Sequence, residues 1–116
     1  MTNSYPTFKV ITTSPFRKEA EKLKKKYPNI KEDFLDLAIR LKKDPTTGND
    51  NLGRNCFKVR MQITDKGNGE SGGARVIINV IVEDSEVFIL SVYDKSNKDT
   101  VSEKELDQLI RRKLDL

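Results

Sequence analysis

Four cationic side chains fall at spacings that let one face of a sheet carry them. Lys58 and Arg60 are two residues apart in the alternating run Phe57-Lys58-Val59-Arg60-Met61-Gln62-Ile63, so both point away from Phe57, Val59, Met61 and Ile63. Arg75 opens the next apolar run, and Lys95 follows a third one directly after Tyr93 and Asp94. Guanidinium groups clamp phosphoryl oxygens bidentately, ammonium groups neutralise them, and a tyrosine ring beside them can stack on a base. Like charges on adjacent strands repel, so such a cluster is better explained by a polyanion that occupies it than by stability. For any one of these residues, plain solvation of an exposed sheet face is the more frequent outcome.

What is missing narrows the chemistry further. The 116 residues contain no histidine, which removes Ser-His-Asp and Cys-His nucleophiles, His-ligated metals and the commonest general base together. The single cysteine, Cys56, cannot form an internal disulfide, so no metal site is expected and a reducing, cytoplasmic setting is. The segment Met1 to Thr7 is polar and uncharged, with no secretory pattern, and no apolar run is long enough to span a bilayer. Charged residues reach 34% and apolar ones only 35%, so one domain, residues 1–116, with an economical core and a dense surface charge of +4 net is expected.

The elements that must position the cations can be read from periodicity. Thr7 to Thr12 favours a strand, and Ser14-Pro15 supplies a helix cap followed by proline at the first helical position. Phe16, Ala20, Leu23 and Tyr27 form the apolar stripe of a first helix whose outward face carries Arg17, Lys18, Lys22, Lys24, Lys25 and Lys26. Pro28 breaks it. Asn29 with Glu32 has capping spacing, and Ile30, Phe34, Leu37 and Leu41 stripe a second helix that ends before Pro45. Asp44 to Asn55 reads as a surface connection, followed by strands at Phe57–Ile63, Arg75–Val82 and Val87–Tyr93. Ser102 with Glu105 has capping-box spacing before a terminal helix marked by Leu106, Leu109, Ile110 and Leu114.

The predicted fold is α+β, a two-helix hairpin packed on a mainly antiparallel β-sheet in the order β-α-α-β-β-β-α. Strict alternation puts Phe57, Val59, Met61, Ile63, Val76, Ile78, Val80, Val82, Phe88, Leu90 and Val92 under the hairpin. On the other face the terminal helix is expected to cover Ile77, Ile81, Val87 and Ile89. Lys58, Arg60, Arg75, Tyr93 and Lys95 then surround an open cleft with almost no anions. Gly67-Asn68-Gly69-Glu70-Ser71-Gly72 fits G-x-G-x-x-G, but it lies between strands and lacks the following helix that dinucleotide binding requires. It is expected to be a flexible β-β connection, with backbone N–H groups as a secondary phosphate cradle.

The segments Phe57-Lys58-Val59-Arg60, Lys66-Gly67-x-Gly69-x-x-Gly72-Gly73-x-Arg75-Val76-Ile77 and Tyr93-Asp94-Lys95-Ser96, in this order on this framework, resemble the RelE/HigB family of bacterial toxins. The resemblance runs from about Thr7 into the terminal helix. It implies a cytoplasmic mRNA interferase that acts with the ribosome and is held inactive by a cognate antitoxin, with no metal or cofactor. By motif it implies that Lys58 and Arg60 are the paired basic residues of the first strand, Arg75 the arginine of the next and Lys95 the basic residue after the last. The RelE branch has a catalytic tyrosine nearer the C-terminus, where this chain has Val101, and the HigB branch often uses histidine. Tyr93 and Asp94 therefore remain for proton handling, with Lys58 or Lys95 as rivals. A lysine would need its pKa brought down from about 10.4 by neighbouring cations and desolvation. Lys66 in the glycine loop and Lys22 and Lys25 on the first helix are candidate RNA contacts. Two alternatives stay open: a ParE-like toxin that binds a protein target without cutting RNA, and a plain RNA-binding module.

Overall fold

Thr13 joins the first strand to the first helix and fixes the geometry of both. In the computed structural model, which describes residues 7–116, the edge strand β1 (Lys9–Thr12) leads directly into α1 (Ser14–Lys26). The buried Thr13 hydroxyl donates to Ile89 O and accepts from Phe16 N, so the cap lies one residue earlier than Ser14. The polar segment 1–6 lies outside the described residues.

After α1, helix α2 (Ile30–Lys43) returns antiparallel to it, and Phe16 meets Phe34 edge-on at 5.4 Å between ring centroids. The expected Asn29 side-chain cap is not made. Its amide donates instead to Asp65, which ties the start of α2 to the sheet. Asp33, one turn in, accepts from both the backbone N–H and the hydroxyl of Thr64 and repeats that tie.

Five strands form one sheet in the order β1-β5-β4-β3-β2, with β2 (Asp50–Gly53), β3 (Cys56–Met61), β4 (Ala74–Ile81) and β5 (Glu86–Asp94). β1 pairs parallel with β5 and every other pair is antiparallel, which matches the expected fold class. The short β2 is an addition, because Asp44 to Asn55 was expected to be connection only. Arg54 and Asn55, both in the left-handed region, close a two-residue hairpin between Gly53 and Cys56, and the buried Asn79 amide holds both their carbonyls.

Strict alternation fails on β5. Ile77 pairs with Ser91 but Ile78 pairs with Ile89, so Leu90 is an extra residue, a bulge that turns the first half of the strand over. Val87 and Ile89 consequently pack beneath the hairpin with Ile30, Leu37, Leu41, Val59, Val76 and Ile78. Phe88 and Leu90, expected there, join Cys56, Ile77 and Leu106 on the opposite side, beneath α3 (Glu103–Arg111). Full burial of each large aliphatic in these layers contributes roughly 2 kcal/mol. α3 begins with the expected Ser102–Glu105 capping box but stops before Leu114, which is exposed, as is Val82 in the 3-10 turn between β4 and β5. The C-terminus folds back so that Asp115 O accepts from Ser14 N.

Candidate nucleic-acid interface

Antiparallel register sets Arg60, Arg75 and Tyr93 in a row across β3, β4 and β5, each directly opposite the next. Lys58 lies two residues along β3 on the same face, opposite Ile77. The four residues therefore share the face that α3 covers only in part. Their environments differ sharply: Arg60 is half exposed, whereas the Lys58 and Arg75 side chains are largely buried.

Arg75 is held from above by the glycine loop. Its Nη1 donates to Glu70 O at 3.0 Å and Ala74 O at 3.2 Å, and its Nη2 donates to Ser71 O at 3.0 Å. The loop thus presents carbonyls to a cation rather than N–H groups to a phosphate, which corrects the cradle expected for it. Both terminal nitrogens are engaged, so the guanidinium fork expected to clamp a phosphate is turned into the protein and only the Nε edge is free. Gly73 makes this possible: a Cβ there would lie 2.2 Å from Met61 O, and its own carbonyl accepts from Lys95 N.

The cleft is not free of anions. Asp50, opposite Lys58 on β2, has Oδ2 3.7 Å from Lys58 Nζ and 3.8 Å from Arg60 Nη2. Asp99, on the loop before α3, accepts from Lys58 Nζ through its backbone carbonyl at 3.0 Å and sets its carboxylate 3.5 Å from Arg75 Nε. Neither residue belongs to a periodic apolar run, so hydrophobic patterning could not have placed them. A signal did exist for Asp50, since an acidic residue on an edge strand is a natural cross-strand partner for Lys58.

Tyr93 is not an open stacking platform. Its ring packs with Leu106 and Phe88, and Lys98 covers it at 4.9 Å from the centroid. Its hydroxyl is buried without a hydrogen-bond partner, and burial together with nearby Asp99 pushes its pKa up to about 12. At neutral pH it is a proton donor, not a base.

Asp94 is separated from this group. As the next residue on β5 it points to the hairpin side, fully buried, where it accepts from Tyr27 Oη at 2.6 Å, Lys66 Nζ at 2.8 Å and the Ser96 hydroxyl at 2.8 Å. Burial alone would raise its pKa, but these donors overrule it and hold the carboxyl well below the ordinary range. A carboxylate so fully engaged is not poised to exchange protons with a substrate. Lys66 is consumed in the same ion pair, so it is a structural tie where an RNA contact was expected. Lys22 and Lys25 are exposed on α1, and Lys22 pairs with Glu19. Lys95 is exposed just beyond the end of β5.

The arrangement can bind a phosphate diester at Arg60, with Lys58 and Arg75 raising the local positive potential from behind and a neutral hydroxyl at the end of the row. Among the described residues no group of three His, Cys, Asp or Glu side chains is placed to hold a metal, and no helix is long and apolar enough to cross a membrane.

Residues 8–113 match the family described as the RelE toxin of the RelE / RelB toxin-antitoxin system. No curated protein matches the chain significantly. Among solved structures, the toxin-antitoxin complex RelBE2 from Mycobacterium tuberculosis is similar at TM-score 0.61 and 22% identity, covering 80% of this chain and 97% of that one. A double arginine-to-alanine mutant of E. coli toxin RelE in the free state gives TM-score 0.58 and 16% identity over 91% of this chain and 97% of that one. The isolated E. coli RelE toxin gives 0.51 and 22% over 90% and 97%.

Proposed function

The chain belongs to the RelE toxin family, and from that premise we propose that it is the toxin of a toxin-antitoxin pair and arrests translation by cutting mRNA on the ribosome. The observation that carries the reading is the Arg60, Arg75, Tyr93 row with Lys58 beside it: three cations held on one face at a cost in repulsion, with a phenol at its end.

Cleavage by this site would be attack of a ribose 2′-OH on the adjacent phosphorus. The 2′-oxygen to phosphorus bond forms, the bond from phosphorus to the 5′-oxygen breaks, and the leaving oxygen takes up a proton. Arg60, the most accessible cation, contacts the phosphoryl oxygens. Arg75 and Lys58 stabilise the charge that grows there. Tyr93, protonated at neutral pH, donates toward the phosphoryl or leaving oxygen. Lys95 on the rim neutralises a neighbouring phosphate, and the proton from the 2′-OH leaves to water. So sparse a set of groups gains most if the ribosome supplies the orientation of the message. The exposed lysines of α1, Lys22 and Lys25 among them, favour long-range docking on RNA. An antitoxin partner fits the same reading, as the similar RelBE2 structure is a toxin-antitoxin complex.

Primer extension on a message translated with the purified protein tests this. Breaks placed by codon, lost in Arg60→Ala and Arg75→Ala, are expected. An intact message accompanied by growth arrest would point instead to a protein target. Salt-sensitive RNA binding without cleavage or arrest would point to a binding module.

A further inference from the structure

Two buried polar atoms in the cation row lack hydrogen-bond partners, Arg75 Nε and Tyr93 Oη, and they belong to directly opposed residues. Leaving a buried donor unmade is costly, and such atoms in neighbouring residues of a proposed site need a reason. Both lie next to the same piece of chain, the connection from Lys95 to Val101. Asp99 faces Arg75 Nε at 3.5 Å, outside hydrogen-bond geometry, and Lys98 lies across the Tyr93 ring.

That connection is an unusual cover. Residues 95–100 are all exposed, and the segment is pinned at its ends, by Lys95 N donating to Gly73 O and by the Ser102 capping box of α3. Ser96 is tied to Asp94 and Val101 packs on the cluster beneath α3, but between them Lys98 and Asp99 hold the sheet by polar or electrostatic links: Asp99 O to Lys58 Nζ, the Asp99 carboxylate to Arg75, and Lys98 over Tyr93 while paired with Glu105. An ion pair whose acidic partner is about two-thirds exposed is weak, so this cover is cheap to lift.

We infer that the Asp99 loop is a built-in anionic plug: it occupies the cation row in the free protein and is displaced by the phosphate of a bound RNA strand. The inference rests on the proposed RNA-binding role of the row. It explains why the Arg75 and Tyr93 end of the row is covered at rest while Arg60 stays half exposed, with Asp99 offering one carboxylate where a phosphate diester would sit. It also makes Arg75 Nε and the Tyr93 hydroxyl the two donors that gain partners when the loop lifts. The plug therefore suppresses binding of stray RNA and gives way only where other contacts hold the strand in place.

The test measures anisotropy of a labelled single-stranded RNA of about ten nucleotides, a length typical of single-strand sites, on the full-length protein at low salt. Asp99→Asn keeps the size of the side chain and removes its charge, and Asp99→Ser removes the charge with a shorter side chain. Asp84→Asn, in the turn between β4 and β5, changes net charge equally at a distance. Binding tightened by about three- to fivefold in both Asp99 variants and unchanged in Asp84→Asn is expected, the gain shrinking as salt rises. If Asp99→Asn and Asp84→Asn behave alike while Arg60→Ala still abolishes binding, the plug is overturned and the RNA reading stands. If wild type and every variant leave the RNA free, both fall.

Discussion

Arg60 and Arg75 stand directly opposite each other on β3 and β4, a like-charge pair at the position where opposed side chains lie closest. The fold tolerates the pair by surrounding it: Asp50 beside Arg60, the Asp99 carboxylate and three backbone carbonyls around Arg75. The repulsion is therefore moderated rather than removed.

Arg60→Gln should separate the two properties. Relieving the opposed charges is expected to stabilise the protein by up to about 1 kcal/mol, seen as a raised urea midpoint at low salt that fades as salt is added. The same variant should lose growth arrest. A destabilised Arg60→Gln would show that the pair is held by contacts stronger than its repulsion.

Acid stability should depend on Asp94. Its folded pKa lies below the unfolded value of about 3.9, so its contribution is present above that value and drains away as pH falls through the folded one. Asp94→Asn should lower stability at pH 7 and flatten the acid limb of a Tm-against-pH curve. Tyr27→Phe, which removes one of its donors, should do the same to a smaller degree.

At the alkaline end Tyr93 acts in the opposite sense. Its raised pKa gives stability that is complete below about pH 10 and lost as pH climbs through about 12, because the unfolded chain releases the proton first. Tyr93→Phe should remove that component of the alkaline limb. Since the hydroxyl is buried without a partner, it should also leave the protein at pH 7 as stable or about 1 kcal/mol more so. Cleavage falling by tenfold or more with stability intact would assign the hydroxyl to the reaction.

Gly73→Ala is expected to cost about 1–3 kcal/mol in a chemical melt, since the new methyl runs into the backbone of Met61 to Ile63. Toxicity should fall with it, as Gly73 anchors Lys95 and ends the loop that grips Arg75. Gly69→Ala has open space around its Cβ and a left-handed backbone, and should cost about 1 kcal/mol with toxicity retained.

Much of this was legible in the sequence. The element order, the hairpin stripes, the α3 capping box and the sharing of one face by Lys58, Arg60, Arg75 and Tyr93 follow from two periodicities and a few caps. The failures have specific causes. A bulge leaves no mark on hydrophobicity when the residues around it, Phe88 to Leu90, are all apolar, so the two halves of β5 could not be told apart in facing. Asp50 and Asp99 lie in polar stretches where pattern carries no positional information. Asp94 and Tyr93 are neighbours in sequence, and only alternation along a strand of correct phase sends one into a core network and the other to the cation row.

The extra residue at Leu90 thereby sets the phase of the strand. With it, the aliphatics ahead of the bulge seal the hairpin and the tyrosine beyond it arrives beside Arg75. Removing Leu90 would leave Ile89 against Ile78 and Ser91 against Ile77 as consecutive pairs, so the ladder would become regular while Tyr93 kept its place opposite Arg75. The surplus residue is thus absorbed where it stands and passes no slip along the ladder, so what its loss would remove is one apolar side chain from beneath α3 rather than the alignment of phenol and guanidinium.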